Sequence, residues 1–140
     1  MSTSILSRWR KAFTTDSSGN DALRVVISGI QTLVDLTITG MVYQSVATGI
    51  TAGTTQTQAG ATALTKMLNI VATCATDNNG VKLMSAVAGA RQTIVNRGAK
   101  NLKIWPATGD NLGAGVNLGI SILPGAKITF EAEDVTTWSV

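Results

Sequence analysis

From about residue 68 onward, apolar residues recur at every second position in short runs separated by turn sequences. Leu102-Lys103-Ile104-Trp105 and Lys127-Ile128-Thr129-Phe130-Glu131 alternate strictly, the period-two pattern of half-buried strands. Thr93-Ile94-Val95-Asn96, Ile120-Ser121-Ile122-Leu123 and Thr136-Thr137-Trp138-Ser139-Val140 read as further strands. Asp77-Asn78-Asn79-Gly80, followed by Val81-Lys82-Leu83-Met84, predicts a hairpin turn, because Asn and Gly accept positive φ. Pro124-Gly125-Ala126 predicts a second hairpin, and Arg97-Gly98-Ala99-Lys100-Asn101 joins two strands. Pro106, which has no N–H to donate, ends the strand before it. Residues 61–75 fit two templates: Leu64, Leu68 and Val71 make a helical stripe, whereas residues 68–76 also read as a strand. Strands spaced about 8–12 residues apart predict an all-β fold, a small antiparallel sandwich or barrel of jelly-roll-like form.

The N-terminal third has a different pattern. In residues 4–13, Ile5, Leu6, Trp9 and Phe13 would share one face of a short helix that orders only against a partner; a frayed, disordered terminus is the alternative. Asp16-Ser17-Ser18-Gly19-Asn20-Asp21 is a turn or linker. Residues 23–48 are β-branched, alternate clearly at Leu36-Thr37-Ile38-Thr39, and predict two or three strands. Residues 49–60, rich in Gly, Thr and Gln, read as a linker or exposed loop. The expected organisation is a basic arm over 1–22, base strands and linker over 23–57, and a β body over 58–140.

Composition sharpens this picture. Apolar residues make up 44% of the 140 and aromatic residues only 4%, so the core is aliphatic. Charged residues make up 14%, well below the usual quarter, which leans towards sides buried in an oligomer. Residues 1–15 carry Arg8, Arg10 and Lys11 and no acid; the other eight basic side chains are balanced by eight acids. The whole excess of +3 therefore sits in the arm, a weak footprint for nucleic acid and one that suits an acidic protein patch equally. The start has no secretory signal pattern, and no run approaches a membrane span.

The chemistry points away from catalysis. The chain has no histidine and a single cysteine, Cys74, which excludes Ser-His-Asp and Cys-His nucleophiles, a Cys/His zinc site and an internal disulfide. The glycines of residues 113–119 lack phosphate-loop spacing and read as a flexible loop. Glu131, Glu133 and Asp134 form the one acidic group; they suit a solvated turn or basic partners, with a cation site or an acid/base pair as the sharper alternative. Asp110 is expected to cap its own turn. Trp105 and Trp138 suit the ends of a small core or a subunit interface, with stacking on sugar as the alternative. No cofactor is expected.

The segments Gln58-Ala59-Gly60-Ala61, Asp77-Asn78-Asn79-Gly80-Val81-Lys82-Leu83, Ala88-Gly89-Ala90, Ile94-Val95-Asn96-Arg97-Gly98 and Leu102-Lys103-Ile104-Trp105-Pro106-Ala107-Thr108-Gly109-Asp110, with Phe130 and Thr137-Trp138-Ser139-Val140, carry a resemblance. Together they resemble the small β domain of virion proteins of tailed bacteriophages, in head decoration (cement) proteins and in head or tail fibres. Met84 stands where such domains usually have proline, and Leu112 lies where they often have isoleucine. The resemblance implies a homotrimer exposed on a virion and made in the host cytoplasm. Its implied partners are the major capsid protein and further copies of itself, with a second virion protein or a host glycan left open. Nucleic acid and membrane are not implied. Residues 1–57 lie outside it, and there Arg8, Trp9, Arg10, Lys11 and Phe13 are the expected capsid contacts. A fibre or spike component touching host glycans through Trp105, Trp138 and the 108–118 loop is the second reading.

Overall fold

The computed structural model describes residues 43–140, together with the backbone of Phe13–Thr15 and Asp21–Leu23. The chain divides into two compact units, Met1–Met41 and Val42–Val140. In the first, β1 (Phe13–Thr15) pairs antiparallel with β2 (Asp21–Leu23), and Phe13 faces Leu23. Phe13 opens a strand, not the end of a helix, and Asp21, expected to end a turn, opens β2; residues 16–20 of that expected turn lie outside the described residues. Residues 4–12 and the strands expected over 24–42 lie outside the described residues.

The second unit is all-β. It contains β3 (Val46–Thr51), β4 (Thr62–Ala63), β5 (Leu68–Thr73), β6 (Asn79–Lys82), β7 (Arg91–Asn96), β8 (Leu102–Trp105), β9 (Ile120–Ile122), β10 (Lys127–Ala132) and β11 (Trp138–Ser139). Five strands form one sheet in the order β11-β10-β7-β5-β3, and four form another in the order β4-β6-β8-β9. The compact unit therefore starts at residue 42, before the expected boundary at 58, because β3 belongs to the sheet and residues 49–51 are strand. Among the described residues no helix is long and apolar enough to cross a membrane.

The expected antiparallel order is corrected to two mixed sheets. β3, β5 and β7 run parallel, as do β4, β6 and β8; only β9, β10 and β11 turn back antiparallel. A parallel neighbour cannot be reached by a tight turn, so the chain crosses to the other sheet and returns. Successive strands from β3 to β8 thus alternate between the sheets. The two expected hairpins are crossings of this kind. Asn78 does take the positive φ read from its sequence, 66°, but Asn79 and Gly80 already belong to β6, in the sheet opposite β5.

The crossings at residues 74–78, 97–101 and 123–126 stack as arches at one end of the body. Asn78 N–H donates to Asn101 O at 2.8 Å, and Asn101 N–H to Asp77 Oδ1 at 2.9 Å. Gly125 N–H donates to Asn96 O at 2.8 Å. A Cβ on Gly98 would lie 2.5 Å from the Cys74 backbone nitrogen, so only glycine lets the first two arches touch. At the opposite end Ser45 anchors the start of the body: its carbonyl accepts Leu68 N–H at 3.0 Å and its hydroxyl accepts Met67 N–H at 3.2 Å. That end is the entry end.

Between the sheets, Val71, Ile94, Phe130 and Trp138 meet Val81, Leu102, Ile104 and Ile122 in one core. The polar residues Asn69, Gln92 and Asn96 are also fully buried there. Asn69 Nδ2 and Gln92 Nε2 both donate to Lys66 O, at 2.6 and 2.9 Å, and Gln92 Oε1 accepts Met84 N–H at 3.1 Å.

Candidate interaction surface

Of the expected capsid contacts, Arg8, Trp9, Arg10 and Lys11 lie outside the described residues, and Phe13 is described only as the first residue of β1. The two body tryptophans part company. Trp138 is 1% exposed and alternates inward on β11, so it is a core residue and cannot serve as a glycan or subunit contact. Trp105 alternates outward on β8 with Lys103, onto the outer face of the four-stranded sheet.

The local sequence explains how the Trp105 indole lies there. A Cβ on Gly80 would sit 2.7 Å from Trp105 Nε1, and one on Gly119 would sit 2.9 Å from Cε3. The ring therefore spans the neighbouring strands on two glycines and covers backbone that they leave bare. Lys103 Nζ lies 5.5 Å from the ring centroid, within cation–π range. Lys82 is the register partner of Trp105. The result is a half-buried aromatic shelf beside two cations. Gly80→Ala and Gly119→Ala are each expected to lift the ring, at about 1–3 kcal/mol; rising acrylamide quenching and lost near-UV circular dichroism would register it.

The 108–118 loop is braced. Asn117, at φ 59°, accepts Gly109 N–H at 2.8 Å and Gln58 Nε2 at 3.1 Å through Oδ1. Asn111 Oδ1 accepts Gly113 N–H at 2.8 Å and Gly115 N–H at 2.9 Å. Asp110 is 5% exposed and accepts Ala86 N–H at 2.8 Å, tying the loop to the segment before β7 instead of capping its own turn. Residues 54–60 are likewise pinned: Gln56 donates to Asp77 O and Gln58 to Pro106 O, both at 2.9 Å.

Two of the three acidic residues have ordinary partners. Glu131 forms an ion pair with Arg91, its register neighbour on β7. Asp134 accepts Thr136 and Thr137 N–H at 2.6 and 2.7 Å, and these backbone bonds hold its carboxyl below the usual range. Cys74 is buried, and burial first, then Asp77, pushes its thiol up.

Sequence reading missed one arrangement. The body, residues 42–140, carries seven basic and five acidic side chains, and their charge is unevenly placed. Arg97, Lys100, Lys103 and Lys127 gather around the arch end, where Asp77 is the one acid among the described residues. Glu133, Asp134 and Asp110 lie at the entry end. Lys127 is 30 residues from Arg97, and the pairing of β10 with β7, with the Asn96–Gly125 and Asn96–Ala126 bonds, brings the two strand ends together. No family model, curated protein or solved structure matches this chain.

Proposed function

We propose that this chain is a bacteriophage head decoration (cement) protein, binding the outer capsid surface as a homotrimer and bridging major capsid subunits. The division into two units carries the reading: a braced β body, Val42–Val140, and a separate unit, Met1–Met41, that holds the basic, aromatic arm. Such a chain suits anchoring by one part and display by the other. The residues of the phage-like segments are those on which the body's architecture depends, among them Asn78 in its left-handed turn, Asn96 and Gly98 in the arches, and Asp110 at the loop.

Self-association draws support from β3. Its one partner among the described residues is β5, and Leu36 to Thr65 contains no charged side chain. Edge strands of monomers are usually guarded by charge or proline.

The mechanism is linkage by binding, without turnover. A ligand that binds only the assembled shell stabilises it by about 2.7 kcal/mol per site at a hundredfold excess over Kd. Many copies, each spanning subunits, multiply that effect against internal pressure. Deleting residues 1–15 is expected to abolish capsid binding while leaving the trimer intact. Sedimentation of truncated protein with empty capsids, beside its solution mass, checks both. Wild-type occupancy by the truncated chain would overturn the proposal.

A further inference from the structure

We propose that the arch end of the body is a docking face for an anionic polysaccharide, one bearing carboxylate or phosphate groups. Three observations converge on it.

The first is charge. Arg97 and Lys127 stand on the shoulder of the five-stranded sheet, Lys100 lies in the middle arch, and Lys103 stands on the shoulder of the four-stranded sheet. Arg97, Lys100 and Lys127 are exposed. Asp77 is engaged in accepting Asn101 N–H. Cations spread around one rigid end hold a charged polymer at several points, and Arg97 can grip a carboxylate or phosphate with two donors.

The second is surface character. Of the large apolar residues exposed on the body, Leu123 is the one at the arch end; Tyr43, Val46, Met67, Val87, Val116, Leu118, Val135 and Val140 lie elsewhere. A tight protein interface is centred on a cluster of apolar and aromatic anchors, and this end offers Leu123 alone. Single-stranded nucleic acid needs a series of stacking faces, and Trp105 supplies one. A hydrated polymer of acidic sugars needs spaced cations and at most one ring face, and Lys103 lies against the Trp105 ring on the outer face of the four-stranded sheet.

The third is position. The chain enters the body beside Met67 and Leu68, at the end opposite the arches. Thr93 is the register partner of Leu68 and Val95 that of Lys127, so Lys127 and Arg97 stand two and four residues, about 7 and 13 Å, further along the strands than the entry. That they face outward from a particle rests on the proposed anchoring through residues 1–15; the binding chemistry itself does not.

The test uses the full-length chain and, as probe, polygalacturonate, with neutral dextran, polyglutamate and double-stranded DNA alongside. Binding is measured by biolayer interferometry at low and moderate salt. The expected result is salt-sensitive binding of polygalacturonate and none of dextran. The combined Arg97→Ser, Lys100→Ser, Lys127→Ser variant should weaken it about tenfold or more, with unchanged melting temperature and solution mass. Lys66→Ser, at the entry end, should leave it unchanged. Binding that survives the triple substitution, or equals that to dextran, overturns the proposal, as does tighter binding of polyglutamate or DNA. Capsid occupancy of the triple variant separates the two claims: retained occupancy with lost polymer binding supports the outward face, whereas lost occupancy places the arches against the capsid and overturns it.

Discussion

Asn96→Ala is expected to cost about 3 kcal/mol and to separate the second arch from the third. Asn96 is fully buried, and its side chain serves both arches at once. Nδ2 donates to Lys100 O at 2.9 Å and Leu123 O at 3.2 Å, while Oδ1 accepts Gly98 N–H at 3.0 Å. Alanine leaves a buried N–H and two carbonyls short of a partner, each worth about 1–3 kcal/mol where water cannot replace it. Asp in place of Asn keeps the acceptor but loses both donated bonds and adds a charge, so it should be no milder. For a body of about 100 residues the loss corresponds to a melting-temperature drop of about 12–20 °C. Calorimetry of the full-length variant reads it directly, and a drop under about 3 °C would contradict the staple.

Trp138→Ala is expected to cost about 3–5 kcal/mol, and Trp138→Phe far less. Trp138 is the largest fully buried side chain, and it stands between the sheets near the end of the chain. Its Nε1–H is buried without a hydrogen-bond partner, so phenylalanine gives up volume but no bond. Alanine removes the whole ring from a core poor in aromatics, where Phe130 is the other fully buried one. The losses should not depend on protein concentration, because the ring packs within one chain. Urea titrations at two concentrations a hundredfold apart would show this. A concentration-dependent loss would move Trp138 to a subunit interface.

Much of the body was legible in the sequence. The alternation in Leu102-Lys103-Ile104-Trp105 and Lys127-Ile128-Thr129-Phe130-Glu131 located β8 and β10 and the inward sides of each. Asn78 was correctly read as a left-handed turn residue. Strand partners were not legible. A strand buried on one face shows the same period of two whether its turn leads back along the same sheet or across to the facing one. Asn79-Gly80 looked like the tip of a hairpin because both residues suit turns. Gly80 is there for a different reason: the Trp105 ring lies on it.

The buried polar residues were hidden for a related reason. Asn69, Gln92 and Asn96 are polar letters at inward positions, and their partners are backbone carbonyls: Lys66 for the first two, near the one and distant from the other, and the near Lys100 and distant Leu123 for the third. Nothing local marks such a pairing. The charge segregation was equally invisible, since Lys127 reaches Arg97 only through the antiparallel register of β10 against β7. Trp105 and Trp138 looked alike as isolated aromatics; the partners of their strands sent one outward and the other into the core.

As the cement protein proposed above, this chain would cover the outside of a phage head. The most direct measurement is its copy number and position on intact particles, by quantitative densitometry of purified virions and labelled electron microscopy. The account predicts many copies, distributed over the head surface in multiples of three. A few copies at one vertex or on the tail, or no copies in the particle, would contradict it.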